Sequence, residues 1–277
     1  MDILPTNDVM FKMIFGDKRH PKVLIHFLNS VIQPESPIVS VDIKPSELTP
    51  DVVAQKGVRL DILATTNDGT QINVEMQKNS DKYMVARSLF YWSKVFSAQM
   101  VVGEKYSTLN RTISINILDF RLFEKDMRFW RKCTITDIET NEKLTDLLEL
   151  HFIELGKVKS IKKDSPVTFW IEFFKNPYSE QVKALCDYVP EIKEAKDVFE
   201  RAKVDPEAHE LMRIREKATM DYASDIKMAK EEGLAEGIAE ERKKNAINMR
   251  AEGFDINIIA KCLCISEEEV VKILTDK

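Results

Sequence analysis

At 277 residues, with 44% apolar and 31% charged side chains, the chain has the profile of a soluble globular protein with room for one large core and a smaller appendage. A net charge of −5 argues against nucleic-acid binding by the molecule as a whole and leaves that task to local basic patches. No apolar run is long enough to span a bilayer and the opening MDILPTNDV lacks a basic-then-apolar leader, so no membrane partner and a cytoplasmic location are expected.

Residues 7–30 carry a helical pattern, with Asn7 or Asp8 as cap, an apolar stripe beginning at Phe11, Ile14 and Phe15, and Pro21 splitting off a second helix over Val23 to Val31. Ile38 to Lys44 reads as a strand, followed by a loop through Pro45 and Pro50. The next segment, Val58 to Gln77 (VRLDILATTNDGTQINVEMQ), is two alternating runs joined by Asn67, Asp68 and Gly69. Three loop residues ending in Gly fit a type I turn closed by a left-handed residue, which sets Thr66 against Thr70. Counting back, Asp61 falls opposite Glu75 and Arg59 opposite Gln77, while Leu60, Ile62 and Ala64 meet Met76, Val74 and Ile72. One face is then apolar and the other carries Arg59, Asp61, Asn73, Glu75 and Gln77.

A helix is predicted over Asp81 to Met100, a strand over Thr112 to Phe120, and further strands over Arg131 to Glu139 and Leu147 to Leu155. Helices follow at Val167 to Lys175, Ser179 to Tyr188 and Glu191 to Arg201, then a long charged one from Pro206 to Glu252 with Gly233 and Gly237 on one face. In the last segment Asp255 caps a short helix through Leu263. Ser266 caps another, with Glu269 completing a capping box. The pattern resembles a helix-turn-helix, but Glu267, Glu268 and Glu269 open its second helix with the wrong charge for DNA, so assembly is the preferred role. Four divisions are expected: a core over 1–160, a helical extension packing on it over 161–205, a connector helix over 206–252 and a small tail over 253–277.

The chemistry-bearing types are thin elsewhere. Cys133, Cys186, Cys262 and Cys264 lack zinc-ligand spacing, the four histidines are scattered, and neither a nucleophile elbow nor a Gly-rich phosphate loop is present. Lys12, Lys18, Arg19 and Lys22, then Arg121, Arg128, Arg131 and Lys132, then Lys157, Lys159, Lys162 and Lys163 form basic groups that read first as solvated faces. Tyr83, Arg87 and Tyr91 share a helix face that could present cations and hydroxyls to a phosphate backbone or pack its aromatic side on the sheet, and packing is preferred for the tyrosines. The hairpin stands apart. Two carboxylates directly across a strand pair repel unless neutralised, and a hard divalent cation with oxygen ligands is one solution. The other is an ordinary solvated sheet face on which Arg59 offsets both acids.

Asp61 followed by Glu75-Met76-Gln77 resembles the core of PD-(D/E)xK nucleases. NDVMFKMIFGD, KGVRLDILA, INVEMQ and RSLFYWSKVFSAQMVVGEKYSTLNRTISINILDF, in that order, resemble the PD-(D/E)xK nuclease family transposases, also called recombination-promoting nucleases. The resemblance implies an α/β fold, a restriction-endonuclease-like mixed sheet flanked by helices with a helical C-terminal region. It implies metal-dependent cleavage of double-stranded DNA, with Asp61, Glu75 and the Met76 carbonyl holding Mg²⁺ (Mn²⁺ as substitute) and Gln77 in the place of the usual lysine. Glutamine can orient water but brings no charge. Asp8, Lys12, Lys56, Arg59, Lys78 and Arg87 are the accessory candidates for lining the site or meeting phosphate, and the C-terminal helices are a candidate homodimer arm. The alternative within the same fold is a weakly active or inactive DNA-binding or regulatory protein.

Overall fold

The structure is a computed structural model and describes residues 3–45, 47–48, 58–162 and 164–275. In chain order these form α1 (Asp8–Phe15), α2 (Pro21–Ile32), β1 (Val41–Lys44), β2 (Glu47–Leu48), β3 (Val58–Arg59), β4 (Ile62–Thr66), β5 (Gln71–Gln77), α3 (Met84–Ser97), β6 (Thr112–Leu118), β7 (Trp130–Cys133), β8 (Leu148–Glu154), α4 (Val167–Lys175), α5 (Glu180–Tyr188), α6 (Pro190–Val204), α7 (Pro206–Ala251), α8 (Ile256–Leu263) and α9 (Glu267–Thr275). Six strands make a mixed sheet in the order β1-β4-β5-β6-β8-β7. The β5–β6 and β6–β8 pairs are parallel and the others antiparallel. A parallel neighbour needs a crossover, and α3 supplies the one between β5 and β6.

The hairpin takes the register its turn dictates. Ile62 faces Val74 and Ala64 faces Ile72, Thr66 N donates to Thr70 O at 3.0 Å, and Gly69 has φ 85°, open to glycine at no steric cost. The expected upstream pairing does not hold. The chain bends at Asp61, so Arg59 pairs with Glu47 in a separate two-stranded ribbon instead of with Gln77. Leu60 turns from Met76 to pack with Leu63, Val95 and Tyr91. Arg131 to Glu139 is likewise not one strand: β7 stops at Cys133, leaving an isolated bridge from Thr136 to Lys143.

Both faces of the sheet are covered. On one, Ile72, Val74, Ile113, Ile115 and Ile117 are buried, and Ile62 reaches the end of α1 at Gly16. The adjoining helices carry an aromatic core: Phe15 lies 5.3 Å from both Phe27 and Trp170, and Phe173 lies 6.3 Å from Phe199. Each fully buried ring of this kind contributes roughly 1.5–3 kcal/mol. Asn7 caps α1 through Val9 and Met10, and Pro21 opens α2 at the position where its missing N–H costs nothing. α1 and α2 pack against α6, and α4 against α2 and α5.

The other face is where the alternating pattern misleads. Asn73, Glu75, Thr112, Ser114 and Asn116 are polar but buried, because α3 lies over them. Ser88 Oγ donates to Asn116 Oδ1 at 2.9 Å, Trp92 Nε1 to Thr112 O at 2.8 Å, and Asn116 Nδ2 to His151 O at 3.1 Å. This polar layer excludes the solvated-face reading of the hairpin. Tyr106 is exposed.

Contacts divide the chain into two compact units, Met1–Leu211 and Met212–Lys277. In the second, Ala246, Ile259, Ala260 and Val270 form a small core, Cys264 takes the left-handed turn at φ 54°, and Ser266 and Glu269 form the reciprocal capping box.

Candidate active site

Glu75 sits near the end of β5, its side chain on the α3 side beside Asn116 of β6. Asp61 sits at the bend where the partner strand leaves the sheet. The bend frees the Asp61 N–H from strand pairing, and it donates to Glu75 Oε1 at 3.3 Å. The Asp61 carboxylate returns the contact one residue further on: its Oδ2 accepts from Met76 N at 2.9 Å. Lys12 reaches in from α1, with Nζ 3.3 Å from Asp61 Oδ1 and 3.0 Å from Leu60 O. A cavity of about 670 Å³ that Lys12 also lines is walled by Met13, Asp17, Arg19 and Arg201, and by neither Asp61 nor Glu75.

Charge is unevenly settled. Glu75 is only 2% exposed. Burial first, and the Asp61 carboxylate second, push its pKa up to about 8, against the opposing pull of the Asp61 N–H, Arg87 and Lys12. Two acids thus share a desolvated corner with less positive charge than both need when ionised. Among the described residues no group of three or more His, Cys, Asp or Glu side chains is placed to hold a metal ion. The available donors are two carboxylates and a backbone carbonyl, with water to complete the set. Those are hard oxygen ligands, and they fit a divalent cation of the magnesium type and not a zinc cage.

The remaining candidates are distributed as follows. Gln77 is half-buried, two residues beyond Glu75 on the same strand face, and its carbonyl accepts from Asp119 N at 2.9 Å. Lys78 is exposed. Asp8 lies one helical turn before Lys12, its Oδ1 accepting from Val9 N at 2.8 Å. Arg87, half-buried on the first turn of α3, lies with its guanidinium carbon 5.1 Å from the centre of the Tyr91 ring. Lys56 and the Arg59 side chain lie outside the described residues.

Several basic residues are paired with acids of the same fold. Arg128 and Arg131 hold Asp126, Arg111 and Lys132 hold Glu149, and Lys157, predicted on a solvated face, is buried against Glu154 at 2.6 Å. Sequence reasoning did not single out Ser88, Asn116 or the buried Glu149–His151 pair. The one signal was polar residues at every second position of β6, which reads as a wet face until a helix is known to cover it.

A mixed sheet flanked by helices, with a paired Asp and Glu at the open end of its central hairpin, defines a PD-(D/E)XK nuclease fold. A family model described as PD-(D/E)XK nuclease family transposase matches residues 5–229, and the chain belongs to that family. Its function is accordingly of the nuclease or transposase-associated kind. Comparison with curated proteins and with solved structures gave no match.

Proposed function

We propose that the protein is a metal-dependent endonuclease that hydrolyses phosphodiester bonds of double-stranded DNA in the context of recombination or transposition. The observation that carries this reading is the reciprocal contact of Asp61 and Glu75, which leaves a buried acid short of counter-charge. Asp61, Glu75 and the Met76 carbonyl would hold Mg²⁺, or Mn²⁺ in its place. A bound cation of this type lowers the pKa of its water and draws charge from a phosphate oxygen. The protein's own groups do the rest. Asp61 is fixed by the Met76 N–H and Lys12, so its orientation is set before substrate arrives. The Gln77 amide can accept from an attacking water and aim it. Water adds to phosphorus, the bond to one sugar oxygen breaks, and the proton that water loses is returned to that oxygen.

The assignment is tested by Mg²⁺-dependent nicking of plasmid DNA by wild type, Asp61→Ala and Glu75→Ala. The expected result is loss of nearly all turnover in both variants; equal cleavage by all three sinks it.

The uncharged Gln77 favours a second reading, a nuclease-fold protein that binds DNA or regulates with little catalysis. Calorimetric titration with Mg²⁺ separates the two, because a scaffold without chemistry gives no saturable metal binding. A cytoplasmic location belongs to both readings, as does a homodimer through the C-terminal helices. Among the described residues no helix is long and apolar enough to cross a membrane.

A further inference from the structure

Hydrolysis of a phosphodiester builds negative charge on the phosphate oxygens, and fixed cations aimed at that charge are usually the largest catalytic contribution. Gln77 supplies none. Lys12 is already engaged, by the Asp61 carboxylate on one side and the Leu60 carbonyl on the other. Arg87 is in a different position. Its backbone is anchored at the start of α3, where its N–H donates to Tyr83 O at 2.9 Å. Its guanidinium lies against the Tyr91 ring, which orients the plane without using a single N–H. Its Nε is buried and has no hydrogen-bond partner among the described residues. Its charge nevertheless reaches Glu75.

Arg87 as a whole is half-buried, so the unpartnered N–H is the buried Nε alone. Burying an N–H without an acceptor is a cost that an incoming anion would remove. The planar fork of arginine matches two phosphate oxygens at once, which a lysine ammonium does not.

We propose that Arg87 is a catalytic residue that binds the scissile phosphate from the α3 side and supplies the cation missing at Gln77. The inference rests on the metal-dependent nuclease reading above. The acids grip the reacting centre from the hairpin, and Arg87 closes it from the opposite helix.

The experiment is single-turnover cleavage of a duplex oligonucleotide at saturating Mg²⁺ by full-length wild type, Arg87→Lys, Arg87→Gln and Arg87→Ala, with thermal midpoints measured alongside. Expected are a loss of about a hundredfold in rate for Arg87→Gln, a smaller loss for Arg87→Lys, thermal midpoints close to wild type, and partial recovery of Arg87→Ala by added guanidinium but not by added urea. Recovery of that kind requires a vacated cation site, which a packing role would not create. Wild-type rates in Arg87→Gln, or losses that track a lowered midpoint and are unmoved by guanidinium, overturn the role of Arg87 alone. Absence of metal-dependent cleavage by wild type overturns the nuclease reading, and Arg87's role falls with it.

Discussion

Asp61 and Glu75 each bind the other's strand through a backbone N–H: Glu75 accepts from Asp61 itself, and Asp61 from Met76 next to Glu75. Two carboxyl groups are thereby brought together by contacts that would hold either one alone. The arrangement exists because β4 begins at Ile62, one residue after the bend, leaving the Asp61 amide unclaimed by the sheet. Burial and the Asp61 charge then keep Glu75 protonated up to about pH 8, and this has a measurable consequence for metal binding.

The cation needs the carboxylate form, so binding displaces a proton from Glu75 at neutral pH. Mg²⁺ affinity should therefore rise by about tenfold per pH unit below pH 8 and level off above it. Calorimetry at pH 7 in two buffers of different ionisation enthalpy should register release of about one proton. A pH-independent affinity would mean that Glu75 is not a ligand.

The same acid governs stability with the opposite sign from an ordinary ion-paired carboxylate. Its folded pKa lies above the value of 4.5 expected for the free side chain. The folded state therefore holds the extra proton between about pH 4.5 and 8, and Glu75 costs stability progressively as pH rises through that window. Glu75→Gln, which mimics the protonated form, should stabilise the metal-free protein by a few kcal/mol at pH 8 and by little at pH 4. It should also abolish the metal response. Urea denaturation at the two pH values checks this.

Gln77→Lys places a charge two residues past Glu75 on the same face. It should preserve turnover in the wild-type background and restore part of the rate lost in Arg87→Gln. A double-mutant cycle on cleavage rate measures the coupling. Strict additivity would mean that the two positions act on different steps.

How much of this was legible in the sequence depends on what each residue had to reveal. The turn Asn67-Asp68-Gly69 sets the hairpin register because its geometry is local, and Ile62 meets Val74 as counted. Asn7, Pro21, Ser266 and Glu269 mark helix ends for the same local reason. The limit was reached at Asp61. Alternation runs unbroken from Val58 to Ile62, across Asp61 itself, so nothing local announces the bend that sends Arg59 to Glu47 and Leu60 to Val95. Burial of the polar face was equally hidden. Asn73, Ser114 and Asn116 read as solvent-facing in any single strand, and only α3 lying over them reverses that reading. Lys157 misled for a related reason: its three internal partners, Phe123 O, Asp126 O and Glu154, come from a loop and a strand whose meeting no local pattern encodes.

Gly233 and Gly237 lie in the exposed middle of α7, where an added methyl group meets nothing within 4 Å. Neither has a backbone angle that requires glycine. Replacing each by Ala should raise helix stability by about 0.8–1 kcal/mol, seen as greater helicity by circular dichroism. A loss of stability would indicate that a second chain packs against that face in solution.

The polar cluster at the other end of the sheet offers a test that leaves the candidate site untouched. Glu149 is 1% exposed and accepts from Arg111 at 2.5 Å, Lys132 at 3.1 Å and His151 at 2.7 Å. His151 is buried, and burial lowers its pKa. Trp130 Nε1 donates to its Nδ1 at 3.0 Å, so the neutral ring carries its proton on Nε2 toward Glu149. Burial works to raise the Glu149 pKa, but His151 and Arg111 outweigh it and hold the value down at about 2. The unfolded value is the ordinary 4.5, so the contribution is complete above about pH 4.5 and fades as pH falls toward 2. Glu149→Ala removes the acceptor of three donors at once and should cost about 3–5 kcal/mol at pH 7. At pH 2, where wild type has lost most of that pH-dependent contribution, the gap between the two proteins should narrow sharply. Equal gaps at both pH values would mean that the loss comes from packing and not from the ion pairs.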